Sequence, residues 1–333
     1  MTESPAILIA MPLFEGWEHL AETLESIKRQ TYENYRVLIS VDGGDQRSFA
    51  ACQPYAKDPR FELVLQPTRL YWEGNINWLA GQLREDFFSY WQHDDYCDPK
   101  YLETLIEYAK RHPQASSVYC DMKVFGTRNE LIKYPSVTGF ALQRVLTQVI
   151  KFNPAVIRCL IRADALRRSL PIKLASTWGL ALARAGELHR VPEVLYFRRL
   201  RPEALHNTML LRPPEVMWAA ALDWAMGVLE QMHPLIQKNE EVRLFSMIVD
   251  LVVNQQIRGK WQYDFTTADR SERLRFVADF LAEAQARFGL TPFAEMLTGD
   301  DPYAALQERK GRAGACDGED LIVDAILSDC QAS

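Results

Sequence analysis

The sequence predicts a doubly wound α/β fold over the first half of the chain, followed by a helical C-terminal region. Short apolar runs alternate with amphipathic stretches in the first half, across short polar connections. An apolar run such as AILIAM is typical of a strand covered on both faces, and the stretches between such runs have helical spacing. The alternation therefore indicates a mostly parallel sheet with helices on its faces.

Four strand and helix pairs are expected before residue 114. In the first helix, Leu20, Leu24 and Ile27 share one face, with charged residues opposite. The strands are expected at AILIAM (6–11), YRVLISV (35–41), FELVLQP (61–67) and FFSYWQ (87–92). The helices are expected at WEHLAETLESIKRQ (17–30), QRSFAACQPYA (46–56), GNINWLAGQLRE (74–85) and PKYLETLIEYAKRHP (99–113).

The later part of the chain divides into a mixed segment and a helical one. A further strand is expected at SSVYCDMKVF (116–125), and residues 130–200 show mixed strand and helix patterns. Three apolar stripes with helical spacing follow, at 213–232, 239–257 and 271–289. We therefore predict one α/β domain over residues 1–205 and a helical region over residues 206–333.

Composition excludes several classes of protein. A net charge of −6 and a pI near 5.6 argue against a nucleic-acid partner. The six cysteines lie far apart without metal-ligand spacing, which is typical of reduced thiols. No run reaches the roughly 18 apolar residues of a membrane span, and no signal peptide is recognisable. We expect a cytoplasmic protein, with peripheral membrane contact and oligomerisation through the helical region left open.

Polar side chains are expected where three strands of the sheet end. The first strand leads into Pro12 and Phe14, the second ends at Asp42, and the fourth ends at Asp94 and Asp95. Ligands of open α/β sheets bind beyond the carboxyl ends of the strands, so these residues are expected to line one crevice. The glycine motifs of dinucleotide-binding proteins and P-loop proteins are absent from the sequence.

Two explanations are open for the paired carboxylates Asp94 and Asp95. They either cap backbone donors or hold a divalent cation, which takes oxygen ligands from carboxylates and phosphates. Asp98 followed by Pro99 is expected to supply the N-cap and first residue of the next helix. If Asp98 caps this helix, Asp94 and Asp95 need another explanation, and a metal ion that holds a diphosphate supplies one.

Several segments, in this order and spacing, resemble a family 2 glycosyltransferase of the GT-A fold. The resemblance covers about residues 5–125, and residues 150–200 loosely. MPLFEG and KRQTYENYRVLI match the family's opening strand and helix, although Leu13, Phe14 and Glu15 replace its usual residues. VDGG keeps the second aspartate of the family's DDGS, and QHDDYCDP keeps the last two of its DDDD motif.

The resemblance implies a nucleotide-sugar site. Pro12 and Phe14 would line the base pocket, or simply pack in the core. Asp42 would accept a hydrogen bond from the base, or else form a turn before Gly43. Asp94 would contact the ribose and Asp95 would bind Mn²⁺ or Mg²⁺ directly. Asn77 stands where the family often has the asparagine of its ARN motif, which makes it a further nucleotide-sugar contact.

The family's catalytic base does not have an obvious counterpart. Alignment on LASTWGLALARAG places Ala175 where the family has an aspartate. Neither Ser176 nor Thr177 accepts a proton near neutral pH. Glu187, His189 and His206 are candidate replacements, and otherwise the alignment slips or the protein has lost transfer activity.

The basic run YFRRLRPEALH (196–206) has two interpretations. It is either a solvated surface or a cationic lid over a diphosphate, since arginine binds phosphate oxygens through two hydrogen bonds. His206 is also a candidate metal ligand.

The function implied by the resemblance is metal-dependent, inverting transfer of a sugar from a nucleotide-diphospho-sugar, with UDP favoured. The expected acceptor is a saccharide or lipid-linked saccharide of a surface glycan. The alternatives are a catalytically degenerate protein that binds nucleotide sugars and a nucleotidyltransferase, which would lack its usual glycine-rich phosphate loop.

Overall fold

The computed structural model describes residues 4–201, 213–236, 241–253, 265 and 268–289. The chain forms two compact units, one of residues 1–144 and 152–202, the other of residues 145–151 and 203–333. The domain boundary predicted at residue 205 lies outside the described residues, as does His206.

The first unit is built on one mixed sheet, whose described strands are β1 (Ile7–Leu13), β2 (Tyr35–Val41), β3 (Phe61–Leu65), β4 (Phe87–Tyr90), β5 (Tyr96–Cys97), β6 (Ala115–Gly126), β7 (Glu130–Ile132), β8 (Leu160–Arg162) and β9 (Glu187–Leu200). Their order is β3-β2-β1-β4-β8-β6-β9-β5, with β7 paired to β6. The neighbours β3, β2, β1 and β4 run parallel, as do β6 and β9. The predicted mostly parallel sheet is confirmed.

The carboxyl ends of β1, β2, β4 and β9 lie on the same side of this sheet, which is called its carboxyl edge below. β8 pairs antiparallel with both β4 and β6, so these two point the same way. Since β9 is parallel to β6, its carboxyl end at Leu200 lies on the same edge as those of β1, β2 and β4. Residues 198–201 therefore stand at the edge where the predicted site residues lie.

Six described helices of the first unit flank this sheet: α1 (Trp17–Lys28), α2 (Gln46–Cys52), α3 (Tyr71–Gly81), α4 (Tyr101–Arg111), α6 (Ala163–Arg168) and α7 (Ala175–Ala185). A further helix, α5, covers Ala141–Ile150. α5 begins in this unit and ends in the second. In α1, the predicted stripe of Leu20, Leu24 and Ile27 is buried. All seven residues of β1 are buried as well, and each large apolar side chain there contributes about 2 kcal/mol.

The second unit contains three long helices among its described residues: α8 (Pro214–Met232), α9 (Glu241–Val253) and α10 (Arg270–Phe288). α10 begins with a capping box of Asp269 and Glu272, and it ends at Gly289, whose φ is 63°. The rings of Phe245 and Phe280 lie 5.2 Å apart between α9 and α10. The predicted C-terminal helices are confirmed, and no described helix has both the length and the apolarity to cross a membrane.

The observed elements differ from the prediction in several places. α4 begins at Tyr101, and Asp98 accepts a hydrogen bond from the backbone N–H of Lys100 at 2.9 Å. Asp98 is therefore a turn residue three positions before the first residue of the helix rather than its N-cap, which is Lys100. β4 ends at Tyr90 instead of Gln92, α3 covers Tyr71–Gly81 instead of 74–85, and β5, β7 and α5 were not predicted.

Candidate functional site

The carboxyl ends of β1 and β2 meet directly. Leu13 is the register partner of Val41, and the backbone N–H of Asp42 donates to the carbonyl of Leu13 at 2.8 Å. On the other side of β1, the N–H of Trp91 donates to the carbonyl of Ala10 at 3.0 Å. The three segments that carry the predicted site residues thus end at one edge of the sheet.

Asp42 is buried at this edge, with 1% of its surface exposed. Its Oδ1 accepts from the N–H groups of Leu70 at 2.5 Å and Gly43 at 3.1 Å. Its Oδ2 accepts from the N–H of Tyr71 at 2.9 Å. The carboxylate therefore satisfies backbone donors at the start of α3, and its role as an acceptor for a base stays a prediction.

An arginine and two aromatic rings stand beside Asp42. The guanidinium of Arg69 lies 3.2 Å from the ring centroid of Phe14 and 5.0 Å from that of Tyr71. Arg69 covers one face of Phe14, whereas Tyr71 is 67% exposed. Pro12 is buried in β1 opposite Ser40. The base-pocket roles of Pro12 and Phe14 remain untested, and the exposed ring here belongs to Tyr71.

Tyr71 has a left-handed backbone with φ of 58°, which is costly for a bulky side chain. The hydrogen bonds of Leu70 and Tyr71 to Asp42 compensate for that strain. Gly43 adds to the close fit, because a Cβ at this position would lie 2.3 Å from the backbone carbon of Thr68. Neither Arg69 nor Tyr71 was singled out from the sequence, where they precede the predicted helix without a motif.

Asn77 joins α3 to the segment before α7. Its Nδ2 donates to the carbonyl of Ile172 at 2.6 Å, and its Oδ1 accepts from the N–H of the same residue at 2.8 Å. These two bonds give Asn77 a structural role, and its predicted contact with a nucleotide sugar stays a prediction.

Asp94 is held by two arginines from the end of β9. Its Oδ2 lies 3.2 Å from Nε of Arg201, and its backbone carbonyl accepts from Nε of Arg199 at 3.2 Å. The side chain of Asp94 is 12% exposed, so only a small part of it reaches solvent.

Asp95 is buried, with 2% of its surface exposed. Its Oδ2 accepts from the hydroxyl of Tyr196 at 2.6 Å, and its Oδ1 accepts from the N–H of Arg199 at 2.8 Å. Nε of Arg158 lies 3.7 Å from Oδ2. Burial, followed by repulsion from Asp94, raises the pKa of Asp95 to about 6.

These contacts do not fit a divalent ion bound directly to Asp95. Such an ion needs a carboxylate oxygen that reaches the crevice, whereas both oxygens of Asp95 are buried and accept hydrogen bonds. Asp94 is paired with Arg201. Within the described part of the chain, no three His, Cys, Asp or Glu side chains are grouped to hold a metal ion. The ligand role of Asp95 thus stays a prediction that this arrangement does not favour.

Neither Ala175 nor its candidate replacements Glu187 and His189 supplies a proton acceptor at the carboxyl ends of the strands. Ala175 is the first residue of α7, and the hydroxyl of Thr177 donates to the carbonyl of Leu174 at 3.2 Å. Glu187 and His189 form a 2.8 Å pair at the start of β9, on the edge of the sheet opposite the crevice. Both are therefore in the wrong place to accept a proton at this site.

Arg158 is a site residue that the sequence analysis missed. Its side chain is 8% exposed, and it follows the apolar turn Pro154–Ile157 at the carboxyl edge of β4. A lone cation inside the apolar run NPAVIRCLI was the available signal, because a buried arginine needs a partner.

The mostly parallel sheet and its flanking helices define a protein of the GT-A fold. The structure is similar to that of TarS residues 1–349 from S. aureus in complex with UDP-GlcNAc, with a TM-score of 0.62 and 13% identity over 92% of each chain. It is also similar to the mannosyltransferase PcManGT from Pyrobaculum calidifontis in complex with GDP-Man and Mn²⁺, with a TM-score of 0.50 and 14% identity over 93% of this chain and 81% of that one. At such low identity these similarities establish the fold alone.

Residues 8–168 match the family described as Glycosyl transferase family 2, so this part of the chain is a family 2 domain. The putative glycosyltransferase EpsE of Bacillus subtilis is 24% identical over 127 residues, which are 38% of this chain and 46% of EpsE. The putative glycosyltransferase EpsH of the same organism is 26% identical over 108 residues, 32% of this chain and 31% of EpsH. The chain thus spans less than half the length of these relatives.

Proposed function

We propose that this protein transfers a sugar from a nucleotide-diphospho-sugar, with UDP as the favoured nucleotide, to a saccharide or lipid-linked saccharide of a surface glycan. The observation that carries the proposal is the family 2 domain, whose strands β1, β2 and β4 end beside Asp42, Asp94 and Asp95 at one edge. The complexes of TarS with UDP-GlcNAc and of PcManGT with GDP-Man support a donor of this class.

The proposed reaction inverts the anomeric centre. The acceptor hydroxyl oxygen forms a bond to the anomeric carbon while the bond from that carbon to the diphosphate oxygen breaks. The electron pair of the broken bond stays on the diphosphate, and the hydroxyl proton passes to a base. The chain's part in this reaction is to place the donor at the carboxyl edge and to stabilise the charge on the departing diphosphate.

A second candidate is a protein that binds nucleotide sugars without transferring them. Ala175 at the start of α7 favours it, because the family has its proton acceptor at this position. The predicted cofactor is Mn²⁺ or Mg²⁺, and the Mn²⁺ of the PcManGT complex supports that prediction. The contacts of Asp94 with Arg201 and of Asp95 with Tyr196 do not support it.

The test is a panel of UDP-, GDP- and other nucleotide-linked sugars, titrated by calorimetry with Mn²⁺, Mg²⁺ or EDTA and then incubated with saccharide acceptors. We expect at least one donor to bind and to be consumed. Binding without turnover would favour the second candidate, and no binding of any donor would contradict both.

A further inference from the structure

Four arginines surround the two aspartates at the end of β4. Arg158 approaches Asp95, while Arg201 and Arg199 contact Asp94. Arg198 lies on the same face of β9 as Tyr196, whose hydroxyl donates to Asp95, because side chains two positions apart in a strand point the same way. The end of β9 therefore adds three guanidinium groups to the one from Arg158.

The charges of this cluster do not cancel. Arg199 forms an ion pair with Glu22, which leaves Arg158, Arg198 and Arg201 beside Asp94 and Asp95. One positive charge is thus in excess when both aspartates are ionised.

Two of the guanidinium groups have unused binding capacity. Nε of Arg158 is buried and makes no hydrogen bond. Arg198 is half-buried and makes no ion pair with another residue of the described ranges, and burial together with Arg158 lowers its pKa. Arg158 has Asp95 as its counter-charge, whereas Arg198 has none of its own in the described ranges, and a half-buried cation of this kind favours an anion from outside the protein.

We propose that Arg158, Arg198 and Arg201 bind the diphosphate of the donor and make a divalent ion unnecessary. The inference rests on the proposed function for the identity of the donor. Guanidinium groups are suited to this role because each can donate two hydrogen bonds to phosphate oxygens. They also supply the positive charge that a metal ion would otherwise bring to the departing diphosphate.

The pairing of the aspartates agrees with this assignment. Tyr196 and the N–H of Arg199 occupy the oxygens of Asp95, and Arg201 occupies Asp94. The two carboxylates act as positioning residues that hold the arginines at the crevice.

The test is calorimetric titration of the full chain with inorganic pyrophosphate and with UDP, each in EDTA and in Mn²⁺. We expect both ligands to bind in EDTA, with affinities that Mn²⁺ changes by less than about threefold. Arg198→Gln should weaken binding in EDTA by about tenfold or more, which corresponds to one lost charge-assisted contact. The matched control is Arg84→Gln, an exposed arginine just before the amino end of β4, which should bind like the wild type.

Several outcomes would overturn the inference. Pyrophosphate that binds only when Mn²⁺ is present would do so, as would an Arg198→Gln variant with wild-type affinity. Thermal unfolding checks that the variant is folded, and Arg201→Gln replaces it if it is not. Donor binding that requires Mn²⁺ would reject the arginine site but keep the proposed function. Pyrophosphate binding in EDTA without binding of any nucleotide sugar would keep the arginine site but reject the proposed function.

Discussion

The carboxylate of Asp42 holds the start of α3 against the end of β2. It accepts from the N–H groups of Gly43, Leu70 and Tyr71, and it is buried where water could not replace those bonds. Removing an acceptor of this kind leaves several backbone donors unsatisfied. Asp42 therefore contributes to stability whether or not it also contacts a ligand.

We expect Asp42→Ala to lower the free energy of unfolding by about 2 kcal/mol, the cost of losing a helix-terminal cap and orphaning its donors. Urea denaturation measures the change. Asp164→Ala, at an exposed position of α6, should change stability by less than about 0.5 kcal/mol. Equal stability of the two variants would show that Asp42 does not hold α3.

Asp95 should make stability depend on pH. Its pKa of about 6 in the folded protein exceeds the ordinary value of 3.8, first because of burial and then because of Asp94. The folded state therefore holds a proton that the unfolded state releases, so the contribution to stability is lost as pH rises through about 6. Relative to Asp95→Asn, the wild type should lose roughly 1 kcal/mol between pH 5 and pH 7.5. A pH-independent difference between the two proteins in urea denaturation would contradict this account.

At the scale of elements, Asn77 joins α3 to the segment that leads into α7. Its side chain both donates to and accepts from the backbone of Ile172. We expect Asn77→Ala to destabilise the protein by about 1–2 kcal/mol, because it leaves a part-buried backbone N–H and carbonyl without partners. Faster amide exchange at Ile172 would place the effect at this contact. Gln82→Ala, which removes a 3.5 Å exposed contact to Trp78, is the control and should change little.

The early elements could be predicted because their signals are local. The apolar run of β1 and the stripe of α1 each lie within a dozen residues. β5 gave no such signal, because its two residues are a strand only through pairing with Tyr196 and Phe197, about a hundred positions later.

The site could be predicted only in part for the same reason. The position of Asp42, Asp94 and Asp95 at one edge follows from strand ends and sheet topology. Their partners do not, since Leu70, Arg158 and Arg201 reach the aspartates through tertiary contacts. Asp95 was expected to bind a metal ion, Asp94 the ribose and Asp42 the base, whereas the folded chain brings arginines and backbone donors to these carboxylates.

Across the whole molecule, the two edges of the sheet should differ in function. Glu187 and His189 lie at the edge opposite the crevice, although the sequence made them candidate bases. We expect His189→Ala to leave the affinity for a nucleotide sugar and the rate of its turnover within about twofold of the wild type, since the ring cannot reach the donor. A loss of more than tenfold in turnover, with normal thermal unfolding, would contradict the placement of the site.

The central claim, that a nucleotide sugar binds at the carboxyl edge of the sheet, is tested most directly by amide hydrogen exchange with and without the donor. The account predicts slower exchange on binding at the carboxyl ends of β1, β2, β4 and β9, in residues 13–16, 42–45, 91–96 and 196–201. Residues 84–86 and 187–189 at the opposite edge should be unchanged. Protection confined to the opposite edge, or a bound donor that protects neither, would contradict it.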